Sequence, residues 1–216
     1  MANDLATLRD RVEQILDDAA NAKWDTNALD EAIRQALHAY SEHLPRRAIA
    51  ALTLTAAGRE IDLSSLAPYR TIERVWWDYD EDSPDHPPRW RDFELWPGHV
   101  LYIDDAGEPA AGDVVRLWYT LDHTLEDLDT ATATTFPDPH ATLIAQGATG
   151  FAAVSRNVTV QEQVNVNAWA PRNLREWAET QLRRFYATLD ALARRQAALS
   201  AGLAPLPPLD RWDNTS

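Results

Sequence analysis

Up to Pro45 the apolar residues recur every three or four positions, and from Ala48 they recur at every second position. In DLATLRDRVEQILDDA, residues 4–19, Leu5, Leu8, Val12 and Ile15 or Leu16 form one stripe between charged residues, the period of an amphipathic helix. A turn over Asn21–Asp25 leads into a second helix, with Asp25 or Thr26 as its N-cap and Asp30 and Glu31 in its first turn, where the helix dipole favours acids. There Leu29, Ile33, Leu37, Tyr40 and Leu44 repeat at helical spacing until Pro45 stops the run. Two short helices joined by a short turn form an αα-hairpin. Each has a single apolar stripe, so the pair needs further elements to cover it.

The alternation after Ala48 predicts strands. ALTLTAAGREIDL alternates on both sides of Ala-Ala-Gly-Arg and predicts a hairpin. TIERVWWDYD is a third strand candidate, WRDFELWPGHVLYID predicts two strands around Pro97-Gly98, and DVVRLWYTL is a further one. On an ideal strand, Trp90, Asp92, Glu94 and Trp96 share one face and Arg91, Phe93 and Leu95 the other. A face half aromatic and half acidic suits a subunit interface, with Trp90 and Trp96 as its candidate residues.

Helical spacing returns after FPDPH, residues 136–140, with a third helix beginning near Asp138 or Pro139. Its ATLIAQGATGFAAVSR is rich in Ala and Gly, so its backbone can approach a neighbour closely. NVTVQEQVNVNA, residues 157–168, is expected to be a loop. A fourth helix runs from Trp169 or Pro171 to Ser200. Its Leu182, Phe185, Leu189, Leu192, Gln196 and Leu199 step alternately by three and four, a heptad-like seam. At 1.5 Å per residue it is about 45 Å long. Gly202 ends it, and LAPLPPLDRWDNTS follows. A polyproline segment is extended and pre-ordered, so it loses little entropy on docking. The expected fold is α+β. A helical bundle is made of an N-terminal hairpin (1–47) and C-terminal helices (131–201). It carries an inserted antiparallel β-sheet or small barrel (48–130) and a Pro-rich docking tail (202–216).

Composition narrows the function. The 216 residues are 45% hydrophobic, enough for a real core. The absence of cysteine excludes a disulfide scaffold, a thiol nucleophile and a Cys-based metal site. The start of the chain lacks the apolar region of a signal peptide, and no run approaches the roughly 18 apolar residues of a membrane helix. Net charge is -14, which argues against gripping nucleic acid through its phosphates. Residues 73–129 hold 16 acids against 4 bases, whereas residues 169–201 hold 6 Arg against 3 acids, so the negative field sits in the strand region.

Candidate chemistry is sparse. Asp78, Asp80 and Asp82 begin like a calcium loop, but Ser83 stands at the glycine position, Pro84 follows, and Arg89 replaces the closing Glu. With Glu81 they form an acidic loop. Six histidines are scattered, without HExxH, and there is no G-x-S-x-G, GxGxxG or Walker loop. No catalytic residue, metal site or cofactor is expected. Nine tryptophans are many, and Trp76, Trp77, Trp90, Trp96 and Trp118 fall among the strands. They predict a core or a subunit interface, with a carbohydrate- or peptide-binding aromatic sheet face as the alternative.

One longer pattern remains. Trp24, Leu29, Ala32, Ile33, Ala36, Leu37 and Tyr40 spell W-x-x-x-x-L-x-x-A-I-x-x-A-L-x-x-Y, closed by Leu44-Pro45. Strands, a Pro-started Ala-rich helix, a long helix and a tail follow in order. This resembles the head-to-tail connector (adaptor) proteins of tailed bacteriophages. The resemblance implies a non-enzymatic virion protein, assembled in the host cytoplasm and located in the neck between capsid and tail. It implies a homo-oligomeric ring of about twelve subunits, closed by heterologous contacts beneath the portal protein. Such a ring completes the neck, retains packaged DNA and receives a tail or stopper protein. On that pattern Trp24, Leu29, Ile33, Leu37 and Tyr40 pack the helical core. Asp78, Asp80, Glu81 and Asp82 line a channel or face solvent, where they repel the DNA backbone and let it pass unbound. Leu203, Leu206, Pro207, Pro208, Leu209 and Trp212 dock on the portal protein.

Overall fold

The computed structural model describes residues 3–18, 23–84, 89–105, 107–161 and 169–200. The fold is α+β, with four helices and two antiparallel sheets that, among the described residues, do not close into a barrel. The chain divides into two compact units: residues 1–44 with 124–216, and residues 45–123.

The first unit is helical: α1 (Leu5–Leu16), α2 (Thr26–His43), α3 (Ala141–Gln161) and α4 (Trp169–Ser200). Asp4 caps α1, its carboxylate accepting the Thr7 N–H at 2.7 Å, and Asp25 caps α2 through the Ala28 N–H at 2.8 Å. Because α2 begins at Thr26, Asp30 and Glu31 lie in its second turn rather than its first. Asp30 instead accepts two bonds from Arg9 of α1, at 2.5 and 2.7 Å. The α1 stripe is completed by buried Leu16, and Ile15 is left 43% exposed.

Helix α3 packs against α1, α2 and α4. Its Ala141, Ile144, Ala145, Ala148 and Ala152 join Leu8, Val12, Leu29, Ile33 and Leu37 in one core. Gly147 and Gly150 let α4 come close: an added Cβ would lie 2.8 Å from the Phe185 ring and 2.8 Å from the Leu182 side chain, respectively. The α4 seam is buried at Phe185 and Leu189, half-buried at Leu192 and Gln196, and runs out at Leu199, which is 69% exposed. The loop expected over 157–168 is corrected in its first part, since α3 continues through Gln161; residues 162–168 lie outside the described residues. Propagating an existing helix adds one hydrogen bond per residue fixed, which offsets the weak propensity of Asn157, Val158 and Val160. Leu125, Leu128 and Phe136, between the strands and α3, are buried in the same helical core.

Among the described residues the second unit holds seven strands. β1 (Arg46–Thr53), β7 (Val114–Leu121), β3 (Thr71–Trp77) and β4 (Trp90–Arg91) form one sheet in the order β1-β7-β3-β4. β2 (Glu60–Asp62), β6 (Val100–Ile103) and β5 (Phe93–Trp96) form the other, in the order β2-β6-β5. One core serves both sheets: Ile61, Leu101 and Ile103 meet Ile72, Val75, Val115 and Leu117. The turn at Pro97-Gly98 is present, with Gly98 at φ 85° and His99 at φ 62° between β5 and β6.

Two strand expectations are corrected. ALTLTAAGREIDL is not a hairpin: β1 pairs along its length with β7 and β2 pairs with β6, in different sheets. WRDFELW is not one strand. It breaks at Asp92, so Trp90 pairs with Trp76 in the first sheet while Trp96 pairs with Val100 in the second. Asp92 accepts the Asp104 N–H through its carbonyl at 3.0 Å at that break.

Candidate functional site

The helical candidates are all packing residues. Trp24, Leu29, Ile33, Leu37 and Tyr40 lie in one buried cluster. The Trp24 indole N–H donates to the Ala152 carbonyl of α3 at 3.1 Å. The Lys23 and Trp24 backbone N–H groups both donate to the buried Asp18 carboxylate, and Arg156 lies over the Trp24 ring at 5.1 Å. The Tyr40 hydroxyl is 2.6 Å from Nδ1 of His140, in the one-turn 3-10 helix (Asp138–His140) that leads into α3. Burial pushes the Tyr40 phenol up to about 12 and holds His140 below its ordinary value. Both shifts favour a protonated phenol donating to a neutral imidazole.

The acidic candidates follow β3. Asp78, Asp80, Glu81 and Asp82 are exposed, and Asp78 takes a left-handed conformation at φ 62°. The Asp80 carboxylate accepts the Asp82 N–H at 2.9 Å, an Asx-type turn that orders the loop locally. Among the described residues no three His, Asp or Glu side chains are grouped so as to hold a metal ion.

The aromatic candidates form the most organised surface. Residues paired across antiparallel strands share a face. The register therefore aligns Trp118 of β7 with Ile49 of β1 and Arg74 of β3, and Arg116 with Ala51 and Trp76. This is the face opposite Val75, Val115 and Leu117, which belong to the core. Trp76 and Trp118 are stacked at 6.5 Å and 12°, and Trp90 stands edge-on to them at 6.0 and 5.0 Å. The Arg74 guanidinium lies 5.0 Å over Trp90. That of Arg116 lies 5.3 Å over Trp118 and 4.4 Å over Tyr79, whose hydroxyl it also bonds. Trp76 is only 5% exposed and its indole N–H has no hydrogen-bond partner among the described residues, whereas Trp90 remains 42% exposed. Beside this cluster is a hollow of about 310 Å³ lined by Ile49, Ala51, Tyr79, Glu81, Val114 and Arg116.

Trp96 is elsewhere. It stacks on Tyr102 at 4.6 Å and 8° in the three-stranded sheet, so Trp90 and Trp96 do not form one face. The tail residues Leu203, Leu206, Pro207, Pro208, Leu209 and Trp212 lie outside the described residues.

No protein-family model and no curated protein matches the chain. Among solved structures, a chain of the "Neck of empty GTA particle computed with C6 symmetry" aligns over 76% of this chain and 80% of its own, at 18% identity and a TM-score of 0.31. A score of that size does not establish a shared fold. Among the described residues no helix is long and apolar enough to cross a membrane.

Arg74, Tyr79 and Arg116 are site residues that sequence reading missed. The two arginines left a signal: Arg-x-Trp occurs at 74–76 and again at 116–118, which puts a cation and an indole on one face of each of two strands, whereas Tyr79 left none.

Proposed function

We propose that this chain is a virion structural protein, a head-to-tail connector that forms a ring beneath a portal protein, completes the neck and offers a seat to a tail or stopper protein. The observation that carries the reading is the organisation of the helical unit. The hairpin α1–α2 and the pair α3–α4 build one core, although a whole β unit, residues 45–123, is inserted between them. This is the order of parts in the connector family that the Trp24–Tyr40 pattern resembles. Two further features favour it. Helix α4 reaches beyond the core it seals, leaving Leu199 for another surface. The acids at 78–82 are solvent-facing, as groups that repel a passing DNA backbone must be. In this reading DNA crosses the ring without sequence-specific contacts, and the protein turns over no substrate. Co-sedimentation with the portal protein of the same genome tests it. A complex of defined stoichiometry is expected, and two independently sedimenting species contradict the proposal.

A further inference from the structure

We propose that the outer face of the four-stranded sheet is the receptor for the Pro-rich tail of a second copy of this chain, with residues 203–212 bound as a polyproline helix. The tail has the right periodicity. Such a helix has three residues per turn and rises 3.1 Å per residue, so Leu203, Leu206, Leu209 and Trp212 fall on one ridge about 9 Å apart. Pro205, Pro207 and Pro208 hold φ near the required value and lower the entropy lost on binding.

The face has the matching chemistry. A polyproline helix makes no internal hydrogen bonds, so its carbonyls seek donors, and its rings pack on aromatic planes. Trp76, only 5% exposed and stacked with Trp118 at 6.5 Å, gives the face a rigid aromatic floor. Trp90, 42% exposed, and Ile49, 52% exposed, supply apolar surface that solvent leaves uncovered. The 310 Å³ hollow walled by Ile49, Ala51 and Val114 has room for a leucine side chain of the ridge. Charge agrees as well. Arg74 and Arg116 stand on this face and Glu81 lines the hollow, while the bound segment brings Asp210 and Arg211, so both partners carry charges of both signs. Leu199, the last residue of the α4 seam, is 69% exposed, and the tail follows it in sequence. The inference does not depend on the neck reading: portal binding and tail binding are separate measurements, and either can fail alone.

The test titrates a fluorescein-labelled peptide of residues 202–216 with the full chain carrying Leu206→Ala and Leu209→Ala, whose own tail then does not compete. Fluorescence anisotropy should show saturable binding. Trp90→Ala in the protein should weaken it at least about tenfold, as should Leu206→Ala with Leu209→Ala in the peptide, the size of effect expected for an anchor side chain. Trp90 sits on a two-residue edge strand. Should its replacement disturb the fold by circular dichroism, Ile49→Ser, at a half-exposed position, must weaken binding in its place. No saturation up to about 1 mM, the local concentration a short tether supplies, overturns the proposal. So does binding that the protein variants leave unchanged.

Discussion

A Cβ placed on Gly147 of α3 falls 2.8 Å from the ring of Phe185 on α4. Phe185 is fully buried and cannot swing aside, whereas Leu182, which a Cβ on Gly150 would meet, is half-buried and has a flexible end. Two effects oppose each other in a Gly→Ala change here. Helix propensity gains about 1 kcal/mol, and overpacking of a filled core costs about 1–3 kcal/mol. Gly147→Ala is therefore expected to destabilise the protein, and Gly150→Ala to do so less or not at all. Urea unfolding midpoints of the two variants check the order, and a more stable Gly147→Ala protein would show that α3 and α4 are less closely packed.

Ile33 is fully buried at the centre of the helical core. Ile33→Asp loses the burial and places an unpaired charge there, so its cost should exceed the roughly 2–5 kcal/mol of a large-to-Ala core change. The expected result is an unfolded or insoluble protein by circular dichroism. A soluble Ile33→Asp protein with native helicity would show that α2 is not a packing element.

The Tyr40–His140 contact makes stability depend on pH. Burial keeps the folded pKa of His140 below the ordinary 6.5, so between those two values the unfolded chain binds more protons. Its contribution is complete above pH 6.5 and is lost as the pH falls toward the folded value. The Tm should drop as the pH falls below the ordinary 6.5, and His140→Gln, which keeps an acceptor for the Tyr40 hydroxyl, should flatten that drop. An equal drop in both proteins would assign the effect to other groups.

The acidic loop should be dispensable for folding. Asp78→Asn, Asp80→Asn, Glu81→Gln and Asp82→Asn together remove four exposed charges, and exposed charges contribute about 0–1 kcal/mol each. Light scattering should give the same assembled mass as the unaltered protein. A loss of assembly would show that these acids pair with a neighbouring subunit.

How much was legible in the sequence follows from how local each interaction is. Leu29, Ile33, Leu37 and Tyr40 announce their helix because the residues that share its buried face are three and four apart. Gly147 and Gly150 announce a close approach for the same reason. The strand partners are distant instead: Ile49 lies opposite Trp118, and nothing in the ALTLTAAGREIDL alternation records that its two halves enter different sheets. Trp90 and Trp96 share a parity that a single ideal strand would turn into one face, and a break at Asp92 separates them. The Trp76–Trp90–Trp118 cluster was visible only as a count of tryptophans, since its geometry depends on three non-local pairings.

The proposed connector would form a ring seated on a portal. Negative-stain electron microscopy of the protein mixed with the portal protein of the same genome, with each protein alone as control, tests it most directly. A ring stacked on one end of the portal is expected. Isolated monomers beside bare portals would contradict it.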